Sequence, residues 1–132
     1  MFNLAIILGR LGRDPEPRVT SAGENLCTFT VATTSGYTDR ATGERRESTE
    51  WHRVVCYGAV ADIVAARASK GDLILIEGPI FTREYTDKNG VVKKSTEIKG
   101  QRARVIPRAR PENAGLTDHD LGGGVASENI PF

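Results

Sequence analysis

The sequence predicts an all-β protein, a five-stranded barrel with one short helix, on three observations. Stretches rich in β-branched and aromatic residues alternate with turn residues along the first 106 positions. Asn89-Gly90, set between two of these stretches, is the strongest hairpin signal in the chain. Only residues 59–69 carry apolar side chains at helical spacing, and Lys70-Gly71 ends that pattern. The elements therefore follow the order of three strands, one helix and two strands.

This order is that of a five-stranded OB-fold Greek-key barrel, in which a short helix lies between strands three and four. We expect the strands over residues 2–10, 26–34, 49–57, 73–86 and 91–105. Pro15 and Pro17 are expected to keep the connection after the first strand extended. Residues 1–106 would then form a single OB-fold domain.

The second strand alternates cleanly, which places Cys27, Phe29 and Val31 on its inward face. Cys56 takes a similar position on the third strand. Cysteines so placed are typical of small core residues in a reducing compartment, and these two form no metal or redox motif. The N-terminus has no basic segment and its apolar run ends at Gly9. We therefore expect neither a signal peptide nor a membrane span, and a cytoplasmic protein.

The C-terminal segment has a different composition from the rest of the chain. From residue 111 onward there are four acidic residues and no lysine or arginine, so all 18 basic residues precede it. A basic body beside an acidic tail is typical of a polyanion-binding domain, although counts this small also arise by chance. Proline and glycine, including Gly122-Gly123-Gly124, leave too little apolar surface to offset the entropy of ordering. Residues 107–132 are therefore predicted to be disordered.

The third strand carries the most informative pattern. Because side chains alternate across a strand, Trp51, Arg53, Val55 and Tyr57 share one face. That face offers flat rings for unstacked bases and a cation for phosphates, which is what a single-stranded nucleic acid requires. The alternative is that Trp51 and Tyr57 are ordinary half-buried aromatics of a sheet.

Seven motifs follow one another along residues 1–106: Leu8-Gly9-Arg10-Leu11-Gly12-Arg13-Asp14-Pro15-Glu16, Phe29-Thr30-Val31-Ala32-Thr33, Ala41-Thr42-Gly43-Glu44, Thr49-Glu50-Trp51-His52-Arg53-Val54-Val55, Lys70-Gly71, Ile76-Glu77-Gly78 and Arg83-Glu84-Tyr85-Thr86-Asp87. In amino-acid sequence and in order they resemble the motifs of bacterial single-stranded DNA-binding proteins. The resemblance implies an OB-fold barrel that binds single-stranded DNA and assembles as a homotetramer.

The same resemblance assigns roles to individual side chains. It implies that bases stack on four aromatic residues, which are Tyr37, Trp51, Tyr57 and Tyr85. Tyrosine stands where the family often has tryptophan or phenylalanine, and a stacked base contributes ~1–3 kcal/mol on such a ring. His52 faces away from Trp51, and the family places the residue at this motif position at a subunit contact, so we assign His52 to the subunit interface.

Seven cations lie on strands or loops that an OB-fold turns toward its ligand. As a set they predict phosphate contacts, and hence salt-sensitive binding with little sequence preference. Any single one is as well explained as a solvated surface charge. They are Arg10, Arg13, Arg53, Arg83, Lys88, Lys93 and Lys94.

The chain ends in an apolar tip after its acidic segment. The resemblance implies that this tip recruits DNA replication, recombination and repair proteins, and that the protein is associated with the nucleoid. Asn129 stands where the family usually has an aspartate, which predicts weaker and more salt-tolerant recruitment. The tip residues are Glu128, Asn129, Ile130, Pro131 and Phe132.

Three rival functions remain open at this point. A nuclease would need clustered carboxylates or a nucleophile beside a base, and the acids are scattered, so we expect no catalytic site, metal or cofactor. His119 between Asp118 and Asp120 makes no metal cage on a flexible segment. An RNA-binding or primosome-type OB module would have the same fold and aromatics but not the acidic tail and tip. A purely structural oligomer would not explain four aromatic residues with arginines nearby.

Overall fold

The computed structural model describes residues 1–107, so that the predicted disordered segment falls outside it except for Pro107. One α-helix and eight strands make up the described part of the chain. They are, in order, β1 (Ala5–Leu11), β2 (Glu16–Val19), β3 (Asn25–Thr38), β4 (Arg45–Tyr57), α1 (Gly58–Arg67), β5 (Leu73–Gly78), β6 (Ile80–Thr86), β7 (Val92–Gly100) and β8 (Arg102–Ile106).

The strands form one curled sheet. Its order is β6-β7-β4-β3-β1-β5-β8, and β2 pairs with β3 outside this path. Neighbouring strands are antiparallel except β4 and β7, which pair in parallel over residues 54–56 of β4. The single helix follows β4 and packs against β3, β4 and β8. This arrangement of a curled sheet with one short helix confirms the predicted OB-fold class.

The structure divides two of the five predicted strands and adds a short one. The fourth breaks at Pro79, which has no N–H to donate to a ladder. The fifth breaks at Gln101, whose N–H instead donates to the carbonyl of Glu77 at 2.9 Å. The extended connection after β1 becomes β2, and Pro17 is tolerated there because β2 pairs on one side only. The helix ends at Arg67, two residues before the predicted end, because Ala68 takes extended dihedral angles.

The core lies inside the curl of the sheet. Cys27, Phe29 and Val31 are buried, as the alternation in β3 predicts, and so is Cys56 on β4. Cys27 and Cys56 are direct partners across the β3–β4 ladder and remain free thiols. Burial raises the pKa of Cys56 to about 12 and also raises that of Cys27, so both stay protonated near neutral pH.

The long β3–β4 hairpin positions most of the predicted site. Its register runs without a bulge from Leu26 opposite Tyr57 to Thr38 opposite Arg45. Partners in an antiparallel pair point to the same side, so the faces of this two-stranded ribbon follow from the register. One face, which we call the Trp51 face, holds the odd-numbered residues of β4 and the even-numbered residues of β3. The other face holds the remaining residues, among them His52.

Candidate nucleic-acid interface

A groove of about 620 Å³ opens on the Trp51 face. It is bounded by the segment that follows β1, by β2, by β3 and β4, and by the β6–β7 hairpin. The residues on which its chemistry depends are Gly12, Arg13, Trp51, Arg53, Arg83 and Glu97. The groove thus brings three of the predicted phosphate-contacting arginines together with one predicted stacking residue.

Trp51 presents its ring to solvent in this groove. Its side chain is 59% exposed, which is unusual for the only tryptophan of a small domain. The indole lies against Gly12, where a Cβ would stand 2.9 Å from Cη2 and closer still to Cζ3. The N–H of Gly12 donates to the carbonyl of Thr30 at 3.1 Å, which holds the backbone in place. Gly12 therefore lies directly against the Cζ3–Cη2 edge of the six-membered ring, and the rest of the indole is left exposed.

Arg13 and Arg53 are the groove cations that are free to contact phosphates. Both are exposed, and neither takes part in an ion pair among residues 1–107. Arg53 lies on β4 opposite Thr30, two residues from Trp51 and on the same face. Arg18, which also lines the groove, is paired with Glu16 at 3.1 Å.

Arg83 has a buried partner in the floor of the groove. Its guanidinium donates to Oε2 of Glu97 at 2.9 Å, and Ser95 donates to the same oxygen at 2.9 Å. Glu97 is only 1% exposed, and its Oε1 has no hydrogen-bond partner among the described residues. The hydrogen bond and charge of Glu97 raise the pKa of Arg83. Most of the positive charge of Arg83 is therefore balanced within the protein.

The two predicted stacking tyrosines nearest the β6–β7 hairpin each lie close to a cation. Arg83 Cζ is 5.8 Å from the centre of the Tyr85 ring, and Lys99 Nζ is 5.4 Å from that of Tyr57. Such distances are typical of cation–π contacts. Sequence reasoning missed Glu97 and Lys99. Alternation along β7 puts them on one face with Ser95, but the contact of Glu97 with Arg83 depends on the pairing of β7 with β6, and that of Lys99 with Tyr57 on its parallel pairing with β4.

Tyr37 is not brought together with Trp51. It is 52% exposed and pairs with Arg46 near the outer end of the ribbon. The register places it on the opposite face from Trp51, together with His52. The imidazole of His52 lies 2.8 Å from the hydroxyl of Thr33 and is half-buried, so it faces away from the groove as predicted.

The remaining predicted cations lie outside the groove. Arg10 donates to the carbonyl of Gly71 at 3.1 Å. Lys93 pairs with Asp87 at 3.2 Å, and backbone N–H donors, that of Val91 foremost, lower the pKa of Asp87. Lys94 follows Lys93 on β7 and so points to the opposite side of the hairpin. Lys88 is exposed in the hairpin turn.

Within residues 1–107, no group of three or more His, Cys, Asp or Glu side chains could hold a metal ion. No helix in this same range is long and apolar enough to cross a membrane. His119 and the tip residues 128–132 lie outside the described residues.

Comparison with known proteins places this geometry in a family. Residues 2–106 match the model of the single-strand binding protein family. Single-stranded DNA-binding proteins of Neisseria meningitidis serogroups A and B are each 38% identical over 123 residues, which is 93% of this chain and 70% of theirs.

Solved structures agree with this match. The Plasmodium falciparum SSB in complex with ssDNA superposes with a TM-score of 0.71 at 29% identity, over 82% of this chain and 96% of that one. A deletion mutant of the single-stranded DNA-binding protein from Thermus aquaticus superposes with a TM-score of 0.69 at 25% identity, over 83% of this chain and 53% of that one. The chain belongs to the single-strand binding protein family.

Proposed function

We propose that this protein binds and protects single-stranded DNA without sequence preference, and that it is not an enzyme. One observation carries the proposal: the exposed ring of Trp51 lies against Gly12 in a groove that also holds Arg13 and Arg53, which form no ion pair within residues 1–107. A base stacks on the open face of the indole, and the arginines contact the neighbouring phosphates. Membership in a family of non-enzymatic DNA-binding proteins supports the absence of catalysis.

The path of the DNA follows from the spacing of the aromatic side chains. Trp51 and Tyr57 are six residues apart on β4, or about 20 Å, so successive bases do not occupy both. The strand runs from Trp51 past Arg53 toward Tyr57 and Tyr85, where Lys99 and Arg83 lie beside the rings. To reach Tyr37 it crosses the edge of the β3–β4 ribbon, because that side chain faces the other way.

The test of this proposal uses the tryptophan itself. Trp51→Ala should weaken binding of single-stranded DNA by ~1–3 kcal/mol, because a stacking surface is lost while the fold is retained. Fluorescence of the wild-type protein should be quenched as poly(dT) binds, since Trp51 is the only tryptophan. Ile63→Ala is a matched control, because Ile63 is an exposed apolar side chain on α1. Unchanged emission at saturating poly(dT) would remove Trp51 from the site.

Assays on the same purified protein distinguish this function from three alternatives. Cleavage of labelled single strands in the presence of Mg²⁺ would favour a nuclease. Equal or tighter binding of RNA would favour an RNA-binding or primosome-type module. Binding of neither nucleic acid would leave a structural oligomer.

For assembly, we propose a homotetramer with His52 at a subunit contact. His52 is half-buried on the ribbon face opposite the groove, where a neighbouring subunit would not block the DNA. His52→Tyr should shift the mass in solution toward smaller species, because a larger ring overfills a packed contact. A wild-type protein that sediments as a monomer at micromolar concentration would contradict this assignment.

For the C-terminal tip, residues 128–132, we propose recruitment of replication, recombination and repair proteins in the nucleoid. An apolar ring near the acidic side chain of Glu128 suits a partner pocket with a basic rim. Deleting Phe132 should abolish recruitment and leave the affinity for single-stranded DNA nearly unchanged. If the truncated protein captures the same partners from solution, the tip has no such role.

A further inference from the structure

Arg45, at the outer end of β4, lies across Gly36 on the neighbouring strand. A Cβ at residue 36 would stand 2.5 Å from Nη2, 3.1 Å from Cζ and 3.4 Å from Nε of Arg45. Three atoms of the guanidinium therefore occupy space that any other residue at this position would fill. The φ of Gly36 is not positive, so its backbone conformation alone does not require glycine. The close approach of the guanidinium is what glycine permits here.

This guanidinium lies on the Trp51 face of the ribbon. Arg45 is an odd-numbered residue of β4 and Gly36 an even-numbered residue of β3, which is the parity of that face. Six residues separate Arg45 from Trp51, or about 20 Å along the strand. Between them, the hydroxyls of Thr34 and Thr49 lie 3.1 Å apart, a polar contact that bridges the two strands. The Trp51 face thus extends from the groove to Arg45.

The surroundings of Arg45 favour a base over a phosphate. Arg45 takes part in no ion pair within residues 1–107, whereas its neighbour Arg46 pairs with Asp39 and Glu44 on the opposite face. Glu47 stands directly opposite Gly36 and on the same face as Arg45. Its carboxylate repels a phosphate at this position but not an uncharged base. A guanidinium supported on one side by a glycine backbone presents a planar surface for stacking on the other.

We propose that Arg45, supported by Gly36, forms an outer subsite in which a nucleobase stacks on the guanidinium plane. The inference rests on the proposed binding of single-stranded DNA and extends that site along the ribbon. It assigns Gly36 a positioning role, because the glycine is what lets the guanidinium lie across the strand. Strands that are long enough to reach from Trp51 to Arg45 use the subsite, and shorter ones do not.

The experiment measures the affinity of full-length protein for two oligo(dT) probes, of about 16 and about 4 nucleotides, the limits of OB-fold site sizes. Arg45→Ala should weaken binding of the longer probe about threefold, the size of an exposed guanidinium–π contact, and leave the shorter probe unaffected. Arg45→Lys should lose as much, because an ammonium keeps the charge but has no plane. Gly36→Ala should match them, and the double variant G36A/R45A should lose no more than either single one.

Arg40→Ala is the control for charge, since it removes one cation from the turn of the same hairpin and should change the longer probe's affinity less than Arg45→Ala does. Wild-type affinity in Arg45→Lys would overturn the proposal in favour of a phosphate contact. Additive losses in the double variant would overturn the positioning role of Gly36. A wild-type protein that binds neither probe would instead contradict the proposed function itself. Equal melting temperatures of all variants exclude loss of the fold as the cause.

Discussion

Arg53 and Arg83 line the same groove, yet the protein treats their charges differently. Arg53 extends from β4 into solvent without an ion pair in the described part of the chain, two residues from Trp51. Arg83 extends from β6 and is bound to the buried carboxylate of Glu97, while its side chain remains 51% exposed. The charge of Arg53 is therefore not balanced by any described residue, whereas that of Arg83 is largely balanced.

The two sides of the groove therefore differ in their chemistry. The β4 side combines an exposed indole with a cation that forms no ion pair among residues 1–107, which suits a base followed by a phosphate. The β6–β7 side holds a guanidinium in a fixed place beside the Tyr85 ring, through Glu97 and Ser95. On that side the guanidinium of Arg83 is held in place, but its positive charge is largely neutralised by Glu97. The buried carboxylate of Glu97 is what distinguishes Arg83 from Arg53.

The largest effect that we expect is on stability. Arg83→Leu leaves the carboxylate of Glu97 buried without its ion pair, which should lower the free energy of unfolding by about 2 kcal/mol. This is less than for a fully buried pair, because half of Arg83 is solvated. Arg53→Leu makes the same change of charge and should alter stability by no more than about 0.5 kcal/mol. Urea denaturation of both variants provides the measurement.

The double variant Arg83→Leu with Glu97→Gln tests the cause of that loss. It removes the unpaired charge and should recover most of the stability. Equal stability of the two arginine variants would show that the buried pair does not distinguish Arg83 from Arg53.

We expect a smaller effect, on affinity, when the contact between Gly12 and the indole of Trp51 is altered. Gly12→Ala places a Cβ against Cζ3 and Cη2 of Trp51, so the ring must move away from its present position. The ring is exposed and has room to move, so the fold should persist while affinity for single-stranded DNA falls by about 1 kcal/mol. The emission of Trp51 should shift in the free protein. Gly23→Ala is not a suitable control because its φ is +84°, whereas Ile63→Ala on the helix is suitable. Unchanged emission and affinity would mean that Gly12 does not position the ring.

The smallest effect should appear in the salt dependence of binding. Each phosphate contact adds about 0.7 to the slope of log affinity against log salt for a single strand. Arg53→Gln should lower this slope by about that amount, whereas Arg83→Gln should leave it nearly unchanged, because Glu97 already balances the charge of Arg83. Titrations of poly(dT) at several salt concentrations measure both slopes. Equal reductions would mean that Arg83 reaches a phosphate despite its partner.

Much of the fold could be predicted from local patterns. Alternation in β3 places Cys27, Phe29 and Val31 in the core, and Trp51 and Arg53 share the face that their spacing indicates. The breaks at Pro79 and Gln101 were missed because each depends on which strand lies alongside. The pairing of β2 was missed for the same reason, since extended residues become a strand only when a neighbour accepts their hydrogen bonds.

The candidate site also has features that local sequence predicts and features that depend on the tertiary structure. The sequence by itself predicted which side chains carry the chemistry: one tryptophan, three tyrosines and the arginines around them. The tertiary structure alone decided where they lie and what they contact. It placed Gly12 against Trp51, Glu97 against Arg83, Gly36 against Arg45, and Tyr37 on the opposite face of the ribbon. Periodicity reports which face of its own strand a side chain occupies, because that is set by the local backbone. What lies against that face depends on strands distant in sequence, and only their pairing and curvature bring it there.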